Sequence, residues 1–390
     1  MPDRGLENIA SVVGIGQTDW RADWTRSRAG EKPDDSVGYA ATAFRDALLD
    51  AGLHRDDIDG LIVGPTTAYE RMGEVLGLEP RWGTQADAVN AVLQACMAIR
   101  AGLAEVVALV YGNDQRTAGT QYGGPQASGG ANYLSYIYHA PWGLTSQGAL
   151  YALILRAWTE ARSVTPAEIG QVSVAQRQWA RLNPRAIMQK PMTTEDYLAA
   201  PFICEPLRLP DYCMINDGGV ALIIAESSRA AQITDNAVRI AAVARQDINR
   251  GATSLEPRMT EFYLPAQQAS AARLWDAAGI GPQDVGIAQI YDSFSVHVPL
   301  ALEGYGYCPV GEAGRFLTEG GIGPGGRLAV NSSGGHLSET YMQGWNHQLE
   351  CVRQLRGECG KRQVANNRFA HYSSDVAGKA TSILYARAAT

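Results

Sequence analysis

Three features of this 390-residue chain predict an α/β fold made of two βαβα halves, with a separate segment inserted in the first. Asp50-Ala51-Gly52-Leu53 ahead of Asp57-Ile58 is echoed by Ala277-Ala278-Gly279-Ile280 ahead of Asp284-Val285. In each copy an amphipathic helix leaves through a glycine and leads to an apolar strand. From Asn113 to about Asp217 the composition changes to glycine, aromatic residues and arginine, which marks the insertion.

Taken in order, Val37, Ala40, Ala41, Phe44, Ala47 and Leu48 fall at helical spacing, with Asp34 to Ser36 as cap and Gly52 at the exit. A buried strand over 58–63 follows. A helix over 86–100, with Val89, Val92, Leu93 and Cys96 on one stripe, leads to a continuous apolar strand over 106–111. The insertion begins with a glycine-rich loop over 121–130 and continues in helices over 148–162 and 169–181, an excursion expected to cover the active site. The chain returns in a strand over 218–226. The second half repeats the scheme: helix 269–279, strand 284–291, helix 336–355, strand 368–372 and a last strand over 380–385 that completes a second sheet. Such continuous apolar strands predict mostly parallel, doubly covered sheets. The expected division is 1–235, carrying the insertion at about 113–217, and 236–390.

Hydrophobic residues make up 46% and charged ones 19%, and no run approaches the roughly 18 apolar residues of a membrane span. The Met1-Pro2-Asp3-Arg4-Gly5 start has no secretory pattern, so a cytoplasmic location is expected. A net charge of −7 with dispersed basic residues argues against tracking long nucleic acids. The six cysteines form no Cys-x-x-Cys pair and lack zinc-finger histidines, which predicts free thiols and no bound metal.

Four tracts carry candidate chemistry. They are Cys213-Met-Ile-Asn-Asp217-Gly-Gly, Tyr291-Asp292-Ser293-Phe294, the glycine-rich turn from Asn331 through Gly334-Gly335-His336 to Tyr341 and Gly344, and His371 near the last strands. In this order the chain resembles the thiolases over nearly its full length, most closely the sterol-carrier-protein type. That resemblance implies a five-layer αβαβα core with an inserted loop domain, and homodimerisation through the first-half sheet.

The departures from the family pattern are chemical. A thiolase carries a nucleophilic cysteine at the start of the buried helix, where amide groups and the helix dipole favour the thiolate. Here the tract reads Gly83-Thr84-Gln85-Ala86-Asp87, and Gln85 takes the cysteine's slot. Cys96, about three turns along the helix, reads as core. The second thiolase cysteine is replaced by His371-Tyr372-Ser373-Ser374-Asp375. Tyr341 stands where a thiolase keeps its acid/base histidine, and Tyr291 where an Asn or His orients water.

These exchanges resemble the thiolase-like steroid aldolases, and the resemblance implies that Tyr291 and Tyr341 form a catalytic pair. Retro-aldol cleavage of a β-hydroxyacyl-CoA needs the enolate stabilisation of a thiolase site, but no acyl-enzyme. It requires a base for the hydroxyl proton and an acid for the α-carbon. The implied products are a ketone and a shorter acyl-CoA such as propionyl-CoA. His371, His336, Asn331, Gly334, Gly335 and Gln85 are expected to line the pocket, with Asn331, Gly334 and Gly335 shaping the turn so that its N–H groups reach the thioester. Asp217 is expected to fix the return to the first sheet, His347 to sit on a helix face, and His297 to be structural. The resemblance implies no cofactor beyond the CoA of the substrate. It also implies a small OB-fold partner bearing a zinc ribbon, at times fused to a hydratase; any zinc would belong to that partner. Two rivals stand beside this reading: a ketothiolase using Cys213 or Cys308, and a catalytically silent thiolase-fold scaffold subunit.

Overall fold

The computed structural model describes residues 5–120, 146–247, 263–376 and 379–387. The glycine loop at 121–130 lies outside the described residues.

Ten strands join edge to edge in one sheet. They are β1 (Ala10–Gln17), β2 (Gly60–Val63), β3 (Trp82–Gln85), β4 (Val106–Asp114), β7 (Asp217–Glu226), β8 (Val238–Asp247), β9 (Ile287–Ile290), β10 (Ala329–Val330), β11 (Phe369–Val376) and β12 (Lys379–Arg387). A separate hairpin of β5 (Phe202–Cys204) and β6 (Leu207–Arg208) belongs to the inserted segment. Read outward from the centre, β1-β7-β4-β2-β3 repeats as β8-β12-β11-β9-β10, so the duplication seen in the sequence reappears in the strand order. The expected two sheets are joined through a short β1–β8 contact, Ser11 opposite Arg239 and Val12 opposite Val238.

The pairing is mixed rather than mostly parallel. β2, β3 and β4 run parallel, as do β9, β10 and β11. The contacts of β7 with β4 and β1, and of β12 with β11 and β8, are antiparallel, as is the β1–β8 contact. The cause is the point at which each last strand enters. β4 ends at Asp114 opposite Asp217, the first residue of β7, so the insertion opens and closes at one end of the sheet and β7 runs back. β12 follows β11 almost directly and is turned the same way.

The two copies of the helix exit agree in detail. Helices Ser36–Ala51 and Leu264–Ala278 end on Gly52 (φ 67°, ψ 28°) and Gly279 (φ 66°, ψ 28°), left-handed residues that close the helix without a Cβ penalty. A single 3₁₀ turn follows each, and the carboxylates of Asp57 and Asp284 accept the N–H of His54 and Gly281 at 2.8 and 2.9 Å.

Layering follows from burial. Helix Ser36–Ala51 covers one face of the first-half strands, and Leu264–Ala278 does the same for β8 and β12. Helices Ala88–Arg100 and Trp345–Arg356 share one apolar core with strands of both halves, which makes them the middle layer of the expected five-layer αβαβα stack. Trp345–Arg356 is buried from Trp345 through Leu355, as a helix covered on all sides must be. Among the described residues no helix is long and apolar enough to cross a membrane.

The single helix expected over 336–355 is broken. A short helix, Gly335–Ser338, and the long one at Trp345 are separated by Gln343 (φ 48°) and Gly344 (φ 88°). Two successive left-handed residues cannot continue a right-handed helix, and the break carries Tyr341 out of the helical path. The helix expected from residue 86 begins instead at Ala88, capped by Asp87, whose carboxylate accepts Asn90 N–H at 3.2 Å.

Candidate active site

The C-terminal ends of β9 and β10 hold the site, as expected for parallel strands with helical crossovers. Tyr291 follows β9 directly, and its N–H bonds Ser373 O at 2.9 Å, which extends the β9–β11 ladder by one residue. Asn331 follows β10 in a left-handed conformation (φ 49°). Its side-chain amide clasps the end of β9, accepting Ile290 N–H at 2.7 Å and donating to Ile290 O at 3.0 Å. Asn331 thus substitutes for a neighbouring strand and sets where Tyr291 emerges.

Tyr341 arrives from the break between the two helices. Its N–H is held by Asn216 Oδ1 at 2.7 Å, and Asn216 Nδ2 also reaches Thr340 Oγ1 at 2.8 Å. The two phenolic oxygens stand 3.1 Å apart, a hydrogen bond in which either can donate. Each tyrosine is 8% exposed, and with Met214 they form a small apolar cluster bordered by Ile187, Met188 and Cys213. Ile187 and Met188 come from the inserted segment, whose backbone N–H groups bond Glu339 O and Ser338 O at 3.0 Å each. The insertion therefore lies across the tyrosine pair.

His336 stands against both phenols, its ring centroid 4.8 Å from Tyr291 and 4.9 Å from Tyr341. It is fully buried, and burial, reinforced by His347, holds its pKa well below the ordinary imidazole value. Asp292 accepts the His336 backbone N–H at 2.9 Å and His347 Nε2–H at 2.8 Å. His347 is accordingly a fully buried partner of Asp292 and not the helix-face residue the sequence implied.

Gly334 (φ 112°) and Gly335 (φ 58°) are required by both conformation and space. A Cβ on Gly334 would meet Ala180 Cβ of the inserted segment at 2.8 Å, and one on Gly335 would meet Asp292 Oδ2 at 2.5 Å. The expected use of this turn's N–H groups on a thioester is not what the structure shows for His336, Tyr341 and Gly344. Their N–H groups are committed to Asp292, Asn216 and His336 Nε2, because buried donors must be paired.

Two expected pocket residues lie elsewhere. Gln85 is exposed on the edge strand β3 and donates to Thr67 O at 2.5 Å, and the start of the buried helix is occupied by Asp87 with Lys379 Nζ at 3.5 Å. His371 is buried on the opposite face of β11 from the tyrosines, its Nδ1 2.8 Å from Tyr307 Oη and its ring against Trp275 and Tyr305. Neighbouring side chains on a strand point to opposite faces, so Tyr372, one position later, is the residue that faces the site. Its ring lies 5.9 Å from His347, and a Cβ on Gly344 would collide with its hydroxyl.

Sequence reasoning passed over Asn216, Asp292 and His347 as site residues, although Asn216 and Asp292 stand inside tracts already singled out. Asp217 acts as expected, accepting the N–H groups of Arg116 and Thr117 at 2.8 and 3.2 Å and so fixing both ends of the insertion. His297 is buried in an aromatic nest beside Ser293 Oγ at 3.1 Å, and burial pushes its pKa down to about 3. The thiols weighed as nucleophiles are not activated. Burial raises the Cys213 thiol, the nearest to the tyrosines, and the charge of Asp292 adds to the rise. Cys308 and Cys96 are pushed up to about 12, again by burial.

On the far face of β11, burial pushes Asp375 up to about 7, with Gln267 and Tyr305 as its donors. The unfolded carboxyl titrates near ~3.9, so between ~4 and about 7 the native chain holds the extra proton and loses stability as pH rises. Asp375→Asn should therefore raise the melting temperature relative to the parent at pH 8, and change it little at pH 4. Melting curves at the two pH values test this, and an equal shift at both would contradict it.

Comparison with known proteins places these features. Residues 252–385 match the thiolase C-terminal domain-like family. The chain is 35% identical to a 17-hydroxy-3-oxo-4-pregnene-20-carboxyl-CoA lyase of Mycobacterium tuberculosis, covering 90% of this chain and 92% of the relative. It is 32% identical to a steroid side-chain-cleaving aldolase of Thermomonospora curvata, with 90% and 91% covered. Among solved structures it matches an Ltp2-ChsH2(DUF35) aldolase with a TM-score of 0.85 at 28% identity, over 98% of both chains. Human mitochondrial 3-ketoacyl-CoA thiolase, at 14% identity and a TM-score of 0.69, shares the fold.

Proposed function

The chain belongs to the steroid side-chain-cleaving aldolases of the thiolase superfamily, and we propose that Tyr291 and Tyr341 carry its retro-aldol chemistry as a coupled proton relay. The enzyme is a carbon–carbon lyase that cleaves a side chain held as a CoA thioester. In the reaction the Cα–Cβ bond of a β-hydroxyacyl-CoA breaks and its electron pair passes into the thioester enolate. The β-hydroxyl loses its proton and becomes a ketone, and the α-carbon takes up a proton to give the shorter acyl-CoA. We assign propionyl-CoA as that product for this chain.

The observation that carries the relay is the 3.1 Å contact between the two phenolic oxygens. One phenol can receive the hydroxyl proton as it passes its own to the other, and the second can deliver a proton to the α-carbon. A relay of this kind needs neither phenol to be ionised in the resting enzyme, which suits a phenol whose solution pKa is about 10. Burial of the pair beneath the inserted segment keeps bulk water from quenching the enolate.

The ketothiolase rival needs a thiolate near the tyrosines, and the raised thiol of Cys213 works against it. Intact-mass spectra during turnover, with and without prior iodoacetamide treatment, test the reading. Unmodified chain mass and undiminished turnover after alkylation are expected, whereas an acyl adduct on a cysteine would overturn it. We also assign to this chain a homodimer and a small OB-fold, zinc-ribbon partner. The support for the partner is the structural neighbour, an Ltp2-ChsH2(DUF35) aldolase. Catalytic assays therefore belong on the complex.

A further inference from the structure

Behind the tyrosine pair lies a cluster that the reaction above does not use: Asp292, His336 and His347, all fully buried and with their polar atoms within 4.8 Å of one another. Such a set could hold a divalent cation, but its hydrogen bonds favour another role. Gly344 N–H, which can only donate, points at His336 Nε2 from 2.9 Å, and Asn346 Oδ1 lies 3.1 Å from the same nitrogen. Nδ1 lies 3.3 Å from Asp292 Oδ1 but makes no hydrogen bond there, and Asp292 holds His336 through its backbone N–H at 2.9 and 3.1 Å. His347 Nε2, 2.8 Å from Asp292 Oδ1, must carry a proton, because a carboxylate oxygen only accepts. The His347 nitrogen turned toward Asp292 is thus an N–H donor, not a lone pair available to a metal.

The same bonds lead to Tyr341. Gly344 is the left-handed residue that ends the break in the helix, and its N–H is fixed by His336 Nε2. Tyr341 lies three residues before it, within the break. Removing the acceptor would leave a buried N–H unpaired at the hinge of the turn, a penalty that backbone movement would relieve.

We propose that Asp292 and His336 are positioning residues: the Asp292 carboxylate holds the His336 backbone in place, and His336 Nε2 accepts the Gly344 N–H and so holds Tyr341 within reach of Tyr291. The inference rests on the tyrosine-relay reading. A movement of one phenol by about 1 Å is enough to cost about 100-fold in rate, and His336 touches both rings.

The test separates the two nitrogens of His336. Glutamine can place an acceptor where Nε2 lies, and asparagine only where Nδ1 lies. In the native complex, with a β-hydroxyacyl-CoA as substrate, His336→Asn should lower kcat about 100-fold with KM changed less than about threefold. His336→Gln should recover at least about tenfold of that loss, and Asp292→Ala should resemble His336→Asn. A cooperative melting transition in all three variants confirms that folded protein is being compared. Equal kcat for the Gln and Asn variants would overturn the proposal. One equivalent of divalent metal in purified protein, with activity lost on chelation, would also overturn it, because His336 Nδ1 would then be a ligand. Full activity of Tyr341→Phe would defeat the underlying relay instead, and leaves a contrast between Gln and Asn at position 336 readable on its own.

Discussion

Replacing either phenol, as Tyr291→Phe or Tyr341→Phe, is expected to lower kcat by about 10³-fold while KM stays within a few-fold. General acid–base groups contribute about 10²–10⁴-fold, and a relay loses its full contribution when either oxygen is removed. The double variant should therefore be scarcely slower than the singles, because groups that act as one unit are not additive. Phenylalanine keeps the ring, so the packing with His336 and Met214 is retained and binding should survive. Steady-state kinetics on the three variants decide the matter. Independent, multiplying losses would mean that the phenols do not pass a proton between them.

The second large effect concerns the foundation of the glycine turn. Glu350 and Arg362 form a buried ion pair at 2.9 Å, and Glu350 Oε1 also accepts Ser332 Oγ–H at 2.8 Å from the turn itself. Burial alone would raise the Glu350 carboxyl, but the guanidinium of Arg362 overrides this and holds it below the ordinary value. Arg362→Met should destabilise the fold by about 3–5 kcal/mol, because it leaves a buried charge uncompensated. Glu350→Gln combined with Arg362→Met removes both charges and keeps an acceptor for Ser332, and should restore much of that loss. Denaturant unfolding of the single and double variants provides the check. A double variant no more stable than Arg362→Met would show that the charge itself is not the cause.

Much of this architecture is visible in the sequence because it follows from local chemistry. The helix exits at Gly52 and Gly279 need a left-handed residue, and the chain supplies glycine at the same place in both halves. Tyr291 and Tyr341 stood out because a phenol replaces another acid/base group in an otherwise familiar turn, and the structure brings their hydroxyls to hydrogen-bonding distance. The sequence-based expectations went astray where a choice is made by tertiary packing. His371 and Tyr372 are neighbours with opposite facings, and only the register of β11 on β9 decides which one meets the site. The helix expected over 336–355 has a good apolar stripe, but Gln343 and Gly344 break it to release Tyr341. Direct pairing of Asp292 with His347, 55 positions apart, has no local signature at all.

Dependence on free CoA tests the central claim most directly. A thiolase consumes CoA as the acceptor of its acyl group, whereas retro-aldol cleavage leaves the thioester intact and needs none. The complex should be supplied with a β-hydroxyacyl-CoA in buffer freed of CoA, and ketone and shorter acyl-CoA followed over many turnovers. The account predicts equal amounts of both products at a rate unchanged by added CoA. Turnover that starts only when CoA is added, with an acyl group found on the chain, would contradict it.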